Sequence, residues 1–361
     1  MNDRTIRIIY GEDGRAMARQ LLEAADAAAR IPAGGRIVLK PNLVNATRPE
    51  EGATTHTEIV RGVVEYLQDA GFRDITIAES SWVGARTEQA WRVTGVDALA
   101  RTYGVRLLDL KGDRTVPVET PAGTIRICAT ALEADFLINL PVLKGHCQTV
   151  MTCALKNLKG CIPDAEKRRF HAQGLMKPIA ALASALRPHL TLVDSLCGDL
   201  NFEEGGNPVR TNRMLLGTDP VQLDAYCCEL LGLQPADVGY LPLAERYGAG
   251  SLAWRPEDIV ALNEPCPAAQ SRADGRLVRE LSRSVAAESA CSACYGSLIR
   301  ALYQYREQTG RTYRGPVAIG QGFRGKVPEG LGVGACCRGA ARSVSGCPPT
   351  AAAILRALRE S

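Results

Sequence analysis

Short apolar runs of strand length alternate with longer amphipathic runs of helical period through most of the chain, and that alternation limits the fold more than any other feature. Residues 5–10 (TIRIIY), 36–44 (RIVLKPNLV), 75–79, 105–110, 124–128, 136–143 (FLINLPVL), 190–193 and 213–217 read as strands. Residues 14–30, 54–70, 96–103, 149–159, 177–186 and 220–230 read as helices. In the run 54–70, Ile59, Val63, Val64 and Leu67 share a face and Gly71 closes the helix. This order predicts an α/β fold, a mostly parallel sheet with helices on both faces.

The 361 residues suffice for two domains, and Pro265, Pro267 and the polar run 268–275 read as a linker. The expected division is an α/β substrate-binding main domain at 1–265 and a small cysteine-rich α/β module at 275–361. Aromatic residues are only 5%, so the cores must rest on Ala, Leu, Val and Ile. A net charge of +4 is too small to predict nucleic-acid binding. The start MNDRTIRIIYGEDGR is charged where an export signal needs an apolar run, and no apolar run approaches the roughly 18 residues of a membrane helix. The expectation is a cytoplasmic protein that binds no membrane. Thirteen cysteines in a reducing compartment are poor disulfide candidates, and a clustered subset reads better as metal ligands.

Polar residues gather at predicted strand ends, where ligands bind in open α/β sheets. Lys40-Pro41-Asn42 ends one strand, because Pro41 cannot donate to the ladder. Glu79-Ser80-Ser81 ends another, Lys144-Gly145-His146 a third, and Asp194 a fourth. On the predicted helix 149–159, Thr149, Thr152, Lys156 and Lys159 form one polar stripe. A charged loop, 164–169, leads to Phe170-His171. Converging, Lys40, Lys144, Lys156, Lys159, Arg168 and Arg169 would suit a carboxylate or phosphate, although Lys159, Arg168 and Arg169 equally read as solvated surface charge. His146 and His171 are candidates for general acid–base work. Asp194 could orient a histidine, bind a metal or cap a helix, Asp219 reads as the cap of the helix that follows, and Asp224 stays undecided. The loop EEGGNP lacks a phosphate-loop context, and no G-x-G-x-x-G follows the first strand.

The last segment holds Cys291 and Cys294 near the start of a predicted helix, 288–306, then Cys336-Cys337 after a glycine-rich run, then Cys347 before Pro348-Pro349 and the helix 351–359. Helix starts favour thiolate. Gly330, Gly332 and Gly334 would let the backbone pass close to something bulky. Zinc and iron–sulfur both accept four thiolates, but zinc sites usually pair two C-x2-C knuckles and here there is one. The pattern leans toward a [4Fe–4S] cluster on Cys291, Cys294, Cys336 and Cys347, with Cys337 as the alternative to Cys336. Cys147, Cys153 and Cys161 have no familiar metal spacing, and Cys227-Cys228 read as core.

The segments LKPNLV, LPVLKGH, ALKNLKG, KRRFH, LTLVDS, GTDPVQLDA and CSAC…GCPP together resemble the family called domain of unknown function 362, an iron–sulfur-associated family, over nearly the whole chain. The resemblance implies an α/β main domain and a cysteine-bound cluster near the carboxyl end, and little about the reaction. It places Lys144, His146, Lys156, Asn157, Gly160, His171, Asp194, Asp219 and Asp224 in the family's polar signature. Cys147, Cys153 and Cys161 depart from that pattern and leave open an accessory metal or thiol role. The expected catalytic set is His146, His171, Lys144 and Lys156, and the expected substrate-binding set is Lys40, Asn42, Asn157 and Asp194. The expected activity is an iron–sulfur oxidoreductase that passes single electrons to an anionic small molecule, served by a reduced donor such as a ferredoxin, in a chain that could self-associate. A hydro-lyase or isomerase with the cluster as Lewis acid, or a simple electron-transfer protein, are the competing expectations.

Overall fold

The computed structural model describes residues 4–202, 207–265 and 275–360. The expected linker and residues 203–206 of the EEGGNP loop therefore lie outside the described residues, Pro265 and Gly275 of that linker apart. Among the described residues, an eight-stranded sheet runs in the order Ile259–Ala261, Ile6–Tyr10, Pro208–Gly217, Leu190–Asp199, Phe136–Leu140, Ile37–Pro41, Ile75–Glu79, Arg106–Asp109. Pairing is parallel except around Pro208–Gly217, which runs antiparallel to both neighbours. The sheet is thus mixed α/β and mostly parallel, as the alternation predicts. Its two faces are covered by separate apolar clusters, one around Phe170, Ile179, Leu182 and Tyr240, the other around Leu21, Ile59, Val63 and Leu67.

The chain goes outward from Ile37–Pro41 through Ile75–Glu79 to Arg106–Asp109, then returns to place Phe136–Leu140 on the other side of Ile37–Pro41. That reversal makes a switch point between Ile37–Pro41 and Phe136–Leu140. The crevice outside the carboxyl ends of the strands there is the usual ligand position in such sheets.

Several elements differ from expectation. FLINLPVL breaks at Pro141, and Lys144–His146 forms a separate hairpin with Val150–Thr152. The predicted helix 149–159 is therefore wrong over its first turn, where β-branched Thr149 and Thr152 disfavour helix and Val150 turns the hairpin at a φ of 68°. A short helix starts only at Ala154–Asn157, because the buried Asp224 carboxylate accepts the N–H groups of Ala154 (2.7 Å) and Leu155 (3.1 Å). The predicted charged loop is the helix Asp164–Ala172, with acids in its first turn and Arg169 and His171 in its last, as the helix dipole favours. Leu190–Asp199 continues past Asp194, which lies within the strand rather than at its end.

The carboxyl-terminal segment builds a second, all-parallel sheet of Val285–Ala287, Val317–Ile319, Leu331–Val333 and Arg342–Val344. The helices Ser292–Thr309 and Ala351–Arg359 pack with it around Leu298, Leu302, Ile354 and Leu358. Among the described residues, no helix is long and apolar enough to cross a membrane.

Burial pushes the Asp224 carboxyl up to about 7 despite its two backbone donors. The folded state then holds a proton that the unfolded state releases near pH 4, so the group's contribution to stability falls as pH rises from about 4 to about 7. Urea denaturation of wild type and Asp224→Asn across this range should show wild type losing stability relative to the variant as pH rises.

Candidate functional site

At the switch point, Lys40 Nζ lies 2.7 Å from Glu79 Oε2 and both side chains are buried. Lys40 also donates to Asn157 Oδ1 (2.9 Å) and the Pro41 carbonyl (2.8 Å). Glu79 accepts the N–H groups of Leu43 (2.9 Å) and Ser80 (2.7 Å), so its charge is fully engaged. Gly160 closes over this pair, and a Cβ there would collide with both Glu79 Oε1 and Lys40 Nζ. Asn157 is locked by a further bond from its Nδ2 to Asn139 Oδ1 (2.8 Å).

Above these groups lies a cleft lined by Lys40, Asn42, Glu79, Ser80, Lys156, Asn157, Lys159, Lys167 and His171, with Val44, Trp82 and Val83 on its apolar side and Cys291 to Ala293 reaching it from the second sheet's helix. Four lysines and one carboxylate line it, which suits an anion. Lys167 is buried and donates to Ser80 O (3.0 Å), Ser80 Oγ (2.6 Å) and Ser81 O (2.8 Å). Burial pulls its ammonium down to about 8 despite the neighbouring Asp164 and Glu79 charges. His171 Nε2 sits 3.4 Å from Lys159 Nζ and 3.4 Å from the N–H and Oγ of Ser292.

Of the expected catalytic and substrate-binding residues, Lys40, Asn42, Lys156, Asn157 and His171 line this cavity and three others do not. Lys144 is buried elsewhere, its Nζ donating to the Ala53 carbonyl (2.5 Å). His146 Nδ1 accepts the N–H groups of Gln148 (2.9 Å) and Thr149 (3.1 Å) and so shapes the hairpin turn. Asp194 does orient a histidine, but it is His56, whose N–H and Nδ1 both lie 2.8 Å from Asp194 Oδ2. Burial lowers the His56 pKa, yet the Asp194 charge and hydrogen bond outweigh it and raise the group above its ordinary value. Asp219 caps the helix Pro220–Leu231. Cys153 and Cys161 are fully buried, Cys153 Sγ lying 3.7 Å from Cys227 Sγ, so both are packing residues, while Cys147 packs against the second core. Glu79 and Lys167 were missed. Glu79 stood at a recognised strand end, and Lys167 is one helical turn before His171, signals that the switch-point rule and the i, i+4 spacing would have caught.

Cys291, Cys294, Cys336 and Cys347 all line a second cavity. Val83, Cys291 and Ala293 belong to both cavities and form the wall between them. Cys336 faces in and its sulfur accepts Arg324 Nε at 3.4 Å, whereas Cys337 is buried against Ala318 and Phe323. Gly334 is held at a left-handed φ of 89° that glycine readily adopts, whereas a Cβ there would make only ordinary contact, 3.7 Å from Cys294 Sγ. Gly330 and Gly332 instead accommodate the chain's own backbone, at Pro316 and Cys337. Among the described residues, no three Cys, His, Asp or Glu side chains are grouped to hold a single ion. Four cysteines bordering one cavity supply the donor type that zinc and iron–sulfur centres both use.

The expectation that helix starts would favour thiolate is overturned for two of the four. Cys291 caps the helix Ser292–Thr309, yet burial and then the nearby Cys347 and Cys336 push its thiol up. Burial and then Cys291, Cys347 and Cys336 push the Cys294 thiol up as well. Cys347 stands three residues before Thr350, the true cap of the last helix.

The family model described as domain of unknown function (DUF362) matches residues 37–229, and the chain belongs to that family. A thylakoid-associated protein of Synechocystis is 28% identical over 230 residues, covering 62% of this chain and 71% of its own. Among solved structures, the lactate racemase apoprotein of Thermoanaerobacterium thermosaccharolyticum is similar at 16% identity and a TM-score of 0.42, covering 64% of this chain and 59% of its own. A protein from Thermotoga maritima is similar at 14% identity and a TM-score of 0.41, covering 61% and 60%. The chain thus spans about six tenths of the length of both solved structures.

Removing one member of the Lys40–Glu79 pair strands the other charge in the interior. Glu79→Gln should lower stability by about 3–5 kcal/mol in chemical denaturation, and the Lys40→Met, Glu79→Gln double variant should recover most of the loss.

Proposed function

We propose that this chain is an iron–sulfur oxidoreductase in which Cys291, Cys294, Cys336 and Cys347 hold a [4Fe–4S] cluster and an anionic small molecule binds in the adjoining cleft. The observation that carries the reading is the wall of Val83, Cys291 and Ala293 common to the cysteine cavity and the lysine-lined cleft. When bound, the cluster would supply single electrons across that wall. Lys156 and Lys159 attract and orient the anion. His171 Nε2, which accepts the Ser292 N–H, lies 3.4 Å from Lys159 Nζ and would take up rather than release a proton there. The Lys40–Glu79 pair holds the floor of the cleft, and Lys167 fixes the Ser80-Ser81 turn.

Four thiols around one space favour full ligation over the open iron that a hydro-lyase or isomerase needs. A plain electron-transfer protein would have no use for the cleft. Cys347 and Arg324 are exposed on the far side of the cysteine cavity, where a reduced acidic donor such as a ferredoxin would approach. Free thiols of this kind belong in a reducing compartment, the cytoplasm on this reading.

Anaerobic purification should yield iron and acid-labile sulfide in equal amounts, with an EPR signal that appears on dithionite reduction. Serine at Cys291, Cys294, Cys336 or Cys347 should each abolish or sharply reduce sulfide content, and Cys337→Ser should retain it. Stoichiometric zinc without sulfide would overturn the reading.

A further inference from the structure

We infer that the loop 80–85, which follows the strand Ile75–Glu79 of the main sheet, seats Cys347 through Gly84, so that one thiol of the cysteine cavity is placed by the other half of the molecule. This deepens, and rests on, the reading of the four thiols as ligands of one centre.

The loop faces two ways. Trp82 and Val83 line the cleft, and Val83 also lines the cysteine cavity. Gly84 turns the chain at a φ of 94° and lies against the turn that precedes the last helix. A Cβ on Gly84 would stand 2.5 Å from the Cys347 carbonyl oxygen and 2.9 Å from Pro348 Cδ. Both distances are well inside van der Waals contact, and neither atom is the end of a flexible side chain that could swing away. The bare glycine is therefore the surface on which the Cys347–Pro348 backbone rests.

The loop is not free to give way, because two lysines tie it from beneath. Lys167 Nζ donates to the carbonyls of Ser80 (3.0 Å) and Ser81 (2.8 Å). Lys111 Nζ donates to the carbonyls of Trp82 (3.1 Å) and Ala85 (2.6 Å), one on each side of Gly84. Asp164 lies 3.4 Å from both ammonium groups and holds the two lysines together. Ser81 Oγ donates to the Leu43 carbonyl (2.7 Å) and the Trp82 N–H to the Val44 carbonyl (3.0 Å), which ties the loop to the chain beyond Pro41. A side chain added at position 84 would therefore displace Cys347 rather than the loop.

The cavity has a second anchor beside Cys291, where Ser292 Oγ donates to Gln148 Oε1 at 2.9 Å. Cys347 stands near enough to Cys291 and Cys294 for its charge to rank among the causes that raise both thiols. A shift at Gly84 thus alters the spacing of the whole set. Gly84 and Lys111 are positioning residues in this scheme, since neither touches a sulfur in it.

The test compares Gly84→Ala with Gly71→Ala in the full chain, purified anaerobically. Both glycines sit at a φ of 94°, so the two variants carry the same backbone strain, but nothing lies within 4 Å of the place a Gly71 Cβ would take. Gly84→Ala should lose about half or more of the wild-type sulfide and change the EPR line shape of the remainder, while Gly71→Ala matches wild type in both. Lys111→Met should give a loss of the same kind. Gly84→Ala added to it should cost less than it costs in wild type, because the freed loop can yield. The metal-free chain supplies a readout that needs no cluster, iodoacetamide labelling of each cysteine followed by mass spectrometry. Cys291 and Cys294 should label about threefold faster in Gly84→Ala than in wild type or Gly71→Ala. A wild type without sulfide sinks the oxidoreductase reading, and the labelling then decides the seating alone. A loaded wild type with an unchanged sulfide content and spectrum in Gly84→Ala sinks the inference and leaves that reading standing. Equal losses in Gly71→Ala and Gly84→Ala also sink it, because backbone strain is then the cause. If Gly84→Ala fails to fold by circular dichroism, Lys111→Met against Gly71→Ala decides on the same two readouts.

Discussion

The buried ion pair between Lys40 and Glu79 is the contact on which the cleft depends. It ties the carboxyl ends of two neighbouring strands to each other and, through Asn157 and Gly160, to the short helix and turn that carry Lys156 and Lys159. A buried pair of this kind gives little net stability, because desolvation offsets its Coulomb attraction. Its value here is geometric. Glu79 has three fixed donors around its two oxygens, Lys40 three fixed acceptors around its ammonium, and neither can turn without breaking several bonds. The floor of the cleft is therefore set before any ligand arrives.

The cysteine cavity shows the opposite economy. In the protein alone, burial and mutual proximity hold Cys291 and Cys294 above the ordinary thiol range, as neutral thiols. Bringing these sulfurs to the thiolate form requires positive charge between them. On the proposed reading, deprotonation and cluster loading are one event, because bound metal deprotonates a coordinating thiol outright. Arg324, 3.4 Å from Cys336 Sγ, supplies part of the compensating charge from outside the wall, in the manner of outer hydrogen bonds that tune metal centres.

Most of the sheet was legible in the sequence because its strands are short, apolar and bounded by Gly, Pro or charge. Ile75–Glu79 and the helix Val96–Tyr103 fall where their patterns predict. Residues 144–152 were not legible, because a few apolar positions fit both periods and only the tertiary cap from Asp224 decides where the helix begins. The same limit governs the site. Lys40, Asn42, Lys156, Asn157 and His171 meet because strand ends and the helix after them converge at the switch point, which sequence order foreshadows. Lys144, His146 and Asp194 carry the same chemistry but turn into turns and packing, since a polar residue at a strand end bonds whichever backbone group lies nearest. Glu79 was visible as a residue, but its partnership with Lys40 spans 39 positions and leaves no local signal.

His146 illustrates how a residue outside the cleft still governs it. Its ring holds the hairpin turn at Gln148, and Gln148 reaches across to the second sheet, donating to the Ala290 carbonyl and accepting from Ser292 Oγ, each at 2.9 Å. Ser292 is held from the other side by His171. The first residue of the cysteine-bearing helix is thus gripped between the turn of the 144–152 hairpin and the helix Asp164–Ala172, directly beside Cys291. Because Cys291 belongs to the wall of both cavities, any shift of that grip moves the partition for both at once. The relation between the lysine cleft and the cysteine cavity is therefore fixed by the Gln148, Ser292 and His171 contacts, and the segment from 144 to 171 positions the thiols as directly as it lines the cleft.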